Sequence, residues 1–299
     1  MVRVTASALA LAIVVLTGCG DETPAPLGRH LVAASQAGAL AVDPAGGGLL
    51  AGELESGRIV ARPSRPVALA RLRVATGGQR GLIGLAAADG GRVFAAYTRA
   101  SDGRIVVDRI APGRVRRIWT GPRSATLANG GHLELAPDGR LVIGIGDLQD
   151  PARIADPDAP NGKLLALRPD RLNLRPAVLS SGWNNPFAFT FTPDGKLWVA
   201  DNAPGRRPER LARGDAGGGP REVTELEGMS APSGVAAISS GELAVCGFVS
   251  QTLDRYRRED GRWRKADTIA RGCRYGVARL RDGRLAFSTG RDIRTVAAR

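Results

Sequence analysis

The sequence predicts an all-β chain folded as one six-bladed β-propeller with four-stranded antiparallel blades. Three observations predict it. Short apolar segments alternate with Gly turns, the pattern returns six times, and the composition leaves little room for long helices. Gly 40 and Pro 19 together make about a fifth of the 299 residues. Hydrophobic residues are 43% of the chain, enough for a packed core, while aromatics are only 4%. The core is therefore expected to be Leu, Val, Ile and Ala.

Each repeat is a hairpin. The first strands are expected at Gly38–Val42, Ile83–Ala86, His132–Leu135, Phe187–Phe191, Gly234–Ile238 and Tyr275–Ala278. The turns include Asp138-Gly139, Asp194-Gly195 and Asp282-Gly283, and Asp-Gly between apolar runs is a strong hairpin signal because Gly accepts positive φ. The second strands are marked by residues 49, 93, 141, 197, 243 and 285, at gaps of 44, 48, 56, 46 and 42. That period is the length of a four-stranded blade. One blade cannot bury both faces alone, whereas a ring of six buries each sheet against the next. Ile105–Val107, Arg117–Trp119 and Lys163–Leu167 supply further expected strands.

The N-terminus is expected to be processed. Arg3 precedes the apolar run Ala8–Leu16, which is too short for a lasting membrane anchor. It ends in Leu16-Thr17-Gly18-Cys19, which resembles a bacterial lipobox with Cys19 as the lipidated residue. A simple signal peptide with a chance Cys is the alternative. The expected division is a lipoprotein signal peptide over 1–19, a tether over 20–29 and the propeller over 30–299, with the protein exported and lipid-anchored outside the cytoplasm. There Cys246 and Cys273 could bridge or stay as two separate thiols, and the sequence leaves this open.

The net charge is +13, yet nucleic acid is not the expected partner. Only Lys163, Lys196 and Lys265 among the 42 basic residues are Lys, and the Arg residues are scattered, without blocks or aromatic interleaving. The longest gap, between residues 141 and 197, holds a loop from Gly146 to Gly162 with Asp147, Asp150, Asp156 and Asp158. It reads either as a cation or ligand loop or as a polar loop whose Asp side chains cap turns.

A run of motifs resembles the soluble quinoprotein glucose/sorbosone dehydrogenases. It comprises Gln79–Ala86, Asn129–Leu133 with Pro137–Leu141 and Gly144–Asp147, Asn161–Leu167, Ser181–Pro186 and Leu197–Gly205, in order and at matching spacing. The resemblance implies a six-bladed propeller that binds pyrroloquinoline quinone (PQQ) with Ca²⁺ and oxidises sugars. It assigns Asn129, Asn185, Asn202 and Pro204 to the cofactor. Asp147 and Asp201 are the carboxylates offered to a metal.

The chain departs from the family pattern where the chemistry sits. Sugar oxidation of this kind needs a base for the hydroxyl proton. In the family it is a His directly before Asn-Gly-Gly, and here that position is Ala128. The family's Arg before Asn-Pro is Asn184, and an amide cannot replace an always-charged fork. A Gln often found after that Pro is replaced near Phe187. The Gly-Arg-x-Arg-Asp-Val segment reads Gly272-Cys273-Arg274-Tyr275-Gly276-Val277. His132 is the substitute catalytic candidate, with a His satisfied by the neighbouring blade as the other reading. Three functions follow as expectations: a divergent quinoprotein sugar dehydrogenase, a metal-dependent lactonase-like propeller, or a non-catalytic propeller binding a sugar, a cell-envelope ligand or a protein.

Overall fold

In the computed structural model the described residues are 25–298, apart from 45, 62–66, 206, 216, 227 and 229–230. Residues 1–24, with Cys19 and the first half of the tether, lie outside them. The chain opens with β1 (Arg29–Ala33), one residue before the expected start of the propeller. Blade 1 is β2 (Ala37–Val42), β3 (Leu49–Glu53), β4 (Arg58–Ala61) and β5 (Val67–Arg71). Blade 2 is β6 (Leu82–Ala88), β7 (Arg92–Thr98), β8 (Arg104–Ala111) and β9 (Arg114–Arg123). Blade 3 is β10 (Gly130–Leu135), β11 (Leu141–Ile145), β12 (Lys163–Leu167) and β13 (Ala177–Ser181). Blade 4 is β14 (Ala188–Phe191), β15 (Leu197–Asp201), β16 (Arg210–Arg213) and β17 (Arg221–Glu225). Blade 5 is β18 (Pro232–Ser239), β19 (Glu242–Gly247), β20 (Thr252–Glu259) and β21 (Arg262–Arg271). Blade 6 takes β22 (Gly276–Arg279), β23 (Leu285–Ser288) and β24 (Asp292–Val296) from the C-terminus and β1 from the N-terminus.

All pairings within the blades are antiparallel, and each residue expected to mark a second strand lies on one. The first strands of neighbouring blades touch around the full circle, β22 against β2 included, so the ring is closed. Blade 6 joins both ends of the sequence, with Arg29 opposite Thr295 and Ala33 opposite Asp292. That pairing closes blade 6 with strands from both ends of the sequence.

The apolar residues pack between blades. One cluster joins Phe94, Ile105 and Trp119 of blade 2 to Leu133, Leu141 and Ile143 of blade 3. Another joins Trp198 of blade 4 to Trp263 of blade 5, edge to face at 5.0 Å. Burying a charge is costly unless it is paired and hydrogen-bonded. Asp108, completely buried, accepts a hydrogen bond from the Tyr97 hydroxyl at 2.6 Å and pairs with Arg117.

Candidate functional site

Because every first strand runs the same way along the axis, six strand starts gather at one mouth of the central channel. They form a funnel of about 300 Å³ together with the ends of several second strands. Gln36, Gln79, Leu127, Phe187, Ser233 and Tyr275 come from the strand starts, and Leu54, Glu55, Asn202 and Phe248 from the strand ends. A second cavity of about 400 Å³ occupies the opposite end and is lined by other residues, among them His132, Glu134, Thr190, Asp89 and Arg279.

The funnel-lining Gln79 is tied to a cluster of buried amides. The Gln79 Oε1 accepts the Ala128 N–H at 2.7 Å and the Asn185 Nδ2 at 3.3 Å. The Asn185 Oδ1 accepts the Gly130 N–H at 2.8 Å. Asn129, fully buried, returns its amide to the loop, accepting from Ala125 N–H at 2.8 Å and donating to the Ala125 and Gln79 carbonyls. Gly is required in this turn. Gly130 has φ +66, and a side chain there would strike the Gly144 carbonyl. Ala128 itself has φ +54, a left-handed conformation that His and Asn adopt more readily than Ala.

Two buried carboxylates hold the turn at 182–187. Asp201, 1% exposed, accepts the backbone N–H of Asn185 at 2.7 Å and of Asn184 at 3.1 Å, and pairs with Arg210 at 2.7 Å. Burial pushes its carboxyl upward, while Arg210 and the two N–H groups pull it back. Asp147 accepts the Asn184 Nδ2 at 2.6 Å and the Gln149 N–H at 2.8 Å, and burial raises its pKa too. The structure thus brings Asn129, Asp147, Asn185, Asp201 and Asn202 into one cluster. Asn202 lines the funnel, and its Oδ1 is buried without a hydrogen-bond partner. Pro204 is exposed and does not line the funnel.

His132 is elsewhere. It sits in the opposite cavity, 3.5 Å from Glu134 and edge to face with Phe189 of the next blade at 4.7 Å. Alternation along β10 does turn it toward the channel, but it lines the opposite cavity and not the funnel beside the Ala128 turn. His30, the other histidine, pairs with Asp292 on the outer strand of blade 6. No imidazole lines the funnel.

The acidic loop carries its own cation. The buried Lys163 ammonium donates to the carbonyls of Asp156 at 2.7 Å, Ala159, and Asn161 at 3.4 Å. Burial lowers its pKa, yet the cage is made of the oxygens a cation needs. Among the described residues, no group of three or more His, Cys, Asp or Glu is placed to hold a metal ion.

One funnel wall was only partly legible in the sequence, which left the Cys246–Cys273 pairing open. Cys246 and Cys273 form a disulfide that joins β19 to the segment leading into β22. On either side of it stand Phe248 and Tyr275, edge to face at 5.6 Å. The Arg274 guanidinium lies 4.7 Å over the Phe248 ring and 5.9 Å from that of Tyr275. Gln36 was invisible for a similar reason: it lies in the link between the N-terminal strand and blade 1, outside every repeat.

Comparison with known proteins places these features in context. The model of the family described as "Glucose / Sorbosone dehydrogenase" matches residues 39–209. No curated protein matches the sequence significantly. Among solved structures, an oxidoreductase described as a glucose dehydrogenase from Thermus thermophilus is 27% identical, with a TM-score of 0.75, covering 89% of this chain and 98% of its own. The PQQ-bound aldose sugar dehydrogenase of Streptomyces coelicolor is 21% identical (TM-score 0.72, 90% and 95% covered). The apo soluble aldose sugar dehydrogenase of Escherichia coli is 19% identical (TM-score 0.73, 91% and 99% covered), and at such identity these last two speak for the fold alone.

Proposed function

Because the chain belongs to the glucose/sorbosone dehydrogenase family, we propose that it is an exported, lipid-anchored propeller that binds a sugar in its funnel and has given up efficient quinone-linked oxidation. The observation that carries the reading is the funnel without an imidazole, with Ala128 in the place of the family's base. A general base contributes about 10²–10⁴-fold to such a reaction. Among the described residues the one carboxylate that lines the funnel, Glu55, is exposed at the end of β3.

The lining also suits a sugar better than the family's cofactor. PQQ is a planar polycarboxylate, and the described residues that line the funnel include Glu55 but no Lys or Arg. Asp147 and Asp201, offered to a metal by the sequence, are engaged with Asn184, Asn185 and Arg210. The carbonyls of the acidic loop hold the Lys163 ammonium, and Arg153 pairs with Asp156. These residues do not fit PQQ with Ca²⁺, and no step is derived through either. The amides of Gln36, Gln79 and Asn202 and the rings of Phe187, Phe248 and Tyr275 offer what sugar hydroxyls and C–H faces use.

The test is to titrate the purified protein with PQQ and Ca²⁺, following absorbance and sugar-dependent dye reduction. Sugar binding without turnover is the expected result, and robust turnover would refute the reading. The second reading is residual dehydrogenase activity. It is favoured by the intact Gln79–Asn185–Gly130 cluster and by the left-handed backbone at Ala128, which would accept His. Ala128→His then restores sugar-dependent reduction, and an inert variant rejects this second reading. Export and anchoring rest on the Leu16–Cys19 tetrad. Cys19→Ser is expected to move the protein from the membrane fraction to the soluble one.

A further inference from the structure

We propose that the rim of blades 2 and 3, at the end away from the funnel, is a docking surface for an anionic phospholipid bilayer. Leu172 and Leu174 enter the interface, and Arg109, Arg114 and Arg116 take lipid phosphates. The inference goes beyond the sugar-binding reading and does not depend on what the funnel holds. It begins with strand direction. β8 and β12 are the third strands of their blades, so each runs parallel to its first strand and ends opposite the funnel. The β8–β9 turn and the β12–β13 link therefore lie at the same end of the ring, in adjacent blades. The link, residues 168–176, is tied down by Asn173. Its side chain accepts the Arg168 N–H at 2.8 Å and donates to the carbonyls of Arg168 at 2.8 Å and Arg171 at 2.9 Å. Its backbone N–H reaches the Ile118 carbonyl of β9 at 2.8 Å. On either side of this pinned residue the leucines face water: Leu172 is 50% exposed and Leu174 83%, the highest value for a large apolar side chain among the described residues. A loop held so firmly that leaves both leucines out is built for an apolar partner.

The charge beside the leucines says which partner. Arg116 lies on β9 two residues from Ile118 and stands opposite Arg109 in the ladder. With Arg114 they line a recess of about 180 Å³. Like charges facing across a ladder are destabilising, and an anion between them relieves the repulsion. Among the described residues none of these three side chains has a hydrogen-bond or ion-pair partner, whereas Arg117 of the same strand is paired with Asp108. The link adds Arg168, Arg171 and Arg175, all exposed and unpaired, against Asp170 alone. Guanidinium forks match phosphate oxygens. A surface that offers phosphate and hydrocarbon side by side is that of an anionic bilayer. Docked by this rim, the propeller turns its funnel mouth toward solvent. The contact alone is reversible, since stable anchoring takes two signals, and the lipid proposed for Cys19 is the other.

The experiment follows Leu174→Trp in the full chain carrying Cys19→Ser, so that no acyl chain contributes. The native Trp residues are all buried, so an exposed indole on the link gives a separable signal. Vesicles of phosphatidylcholine mixed with phosphatidylglycerol should shift its emission to the blue and shield it from acrylamide. Vesicles of phosphatidylcholine alone should do neither. Changing Arg109, Arg114 and Arg116 together to Gln should raise the lipid concentration needed by about a hundred-fold, about five-fold for each charge. Added NaCl should reverse the shift with the arginines in place, which decides the matter if the triple variant does not fold. An emission that stays water-like on the anionic vesicles, even where the chain sediments with them, would overturn the proposal. So would an equal shift on phosphatidylcholine alone, or a shift indifferent to the arginines and to salt. A shift produced by polyglutamate and not by vesicles would overturn it in favour of an acidic protein.

Discussion

The two mouths of the central channel are built from the same six strands, yet their polar groups are in opposite states. At the far mouth the polar side chains answer one another: His132 lies 3.5 Å from Glu134, whose Oε1 accepts the Thr190 hydroxyl at 3.0 Å. At the funnel mouth Gln36 and Asn202 each keep a buried oxygen without a partner. A repeat dictates the strands but not the loops between them, and the funnel is mostly loop. The difference teaches that the loops at the funnel mouth, unlike the strands below them, leave two side-chain oxygens unpartnered.

The comparison is broken most severely at Asp201. Its carboxylate holds two backbone N–H groups of the 182–187 turn and the Arg210 guanidinium. Asp201→Ala leaves Arg210 without its counter-charge and the turn without its anchor. The expected cost is about 3–5 kcal/mol, read as a lowered urea midpoint, together with loss of sugar binding. A variant as stable as the parent would mean that the turn is held by other contacts.

The disulfide comes next. Replacing Cys246 and Cys273 together with Ser frees a loop closed over 27 residues of sequence separation, and chain entropy puts the cost at about 3–4 kcal/mol. The same change loosens the loops carrying Phe248 and Tyr275, so sugar affinity should fall along with the denaturation midpoint. Unchanged affinity in a destabilised variant would separate the wall from the ligand.

How much of this was legible in the sequence follows the same divide. The hairpins were readable because each buries alternate residues against a neighbouring blade, and that leaves a periodic mark. Leu141, Leu197 and Leu285, each fully buried at the start of a second strand, show it. The Gln79–Asn129–Asn185 cluster was readable as ordered motifs, since tight turns constrain residue type. His132, close to Ala128 in sequence, packs on Phe189 of the neighbouring blade, the second of the two readings its position offered. The N-terminal strand of blade 6, Gln36 and the Phe248–Arg274 stack left no mark. They join parts of the chain remote in sequence, and nothing local requires them.

A subtler asymmetry lies beside the funnel. Glu209, 5% exposed, accepts the Ala203 N–H at 2.6 Å behind the Asn202 loop. Burial, with the Asp201 charge adding to it, pushes its pKa up to about 7. A raised carboxyl favours the neutral form in the folded state. Its stabilising contribution is therefore present below the unfolded value of 4.5 and is lost as pH rises toward 7. Glu209→Gln removes that titration. Melting temperatures of the two proteins should diverge between about pH 4.5 and about pH 8, the variant holding its stability better at the upper end. Parallel profiles would show that Glu209 is not penalised.

The smallest effect is expected at the far mouth, and it sharpens the comparison most. His132 and Glu134 are both partly exposed, so their mutual attraction is screened and worth about 0–1 kcal/mol. His132→Gln keeps a polar side chain in reach of Glu134 and should shift the melting temperature little. Because His132 lines a cavity that shares no lining residue with the funnel, sugar affinity should stay at the parent value. Titration of the parent and H132Q with the same sugar settles which mouth is used. A marked loss of affinity would place the ligand at the His132 end.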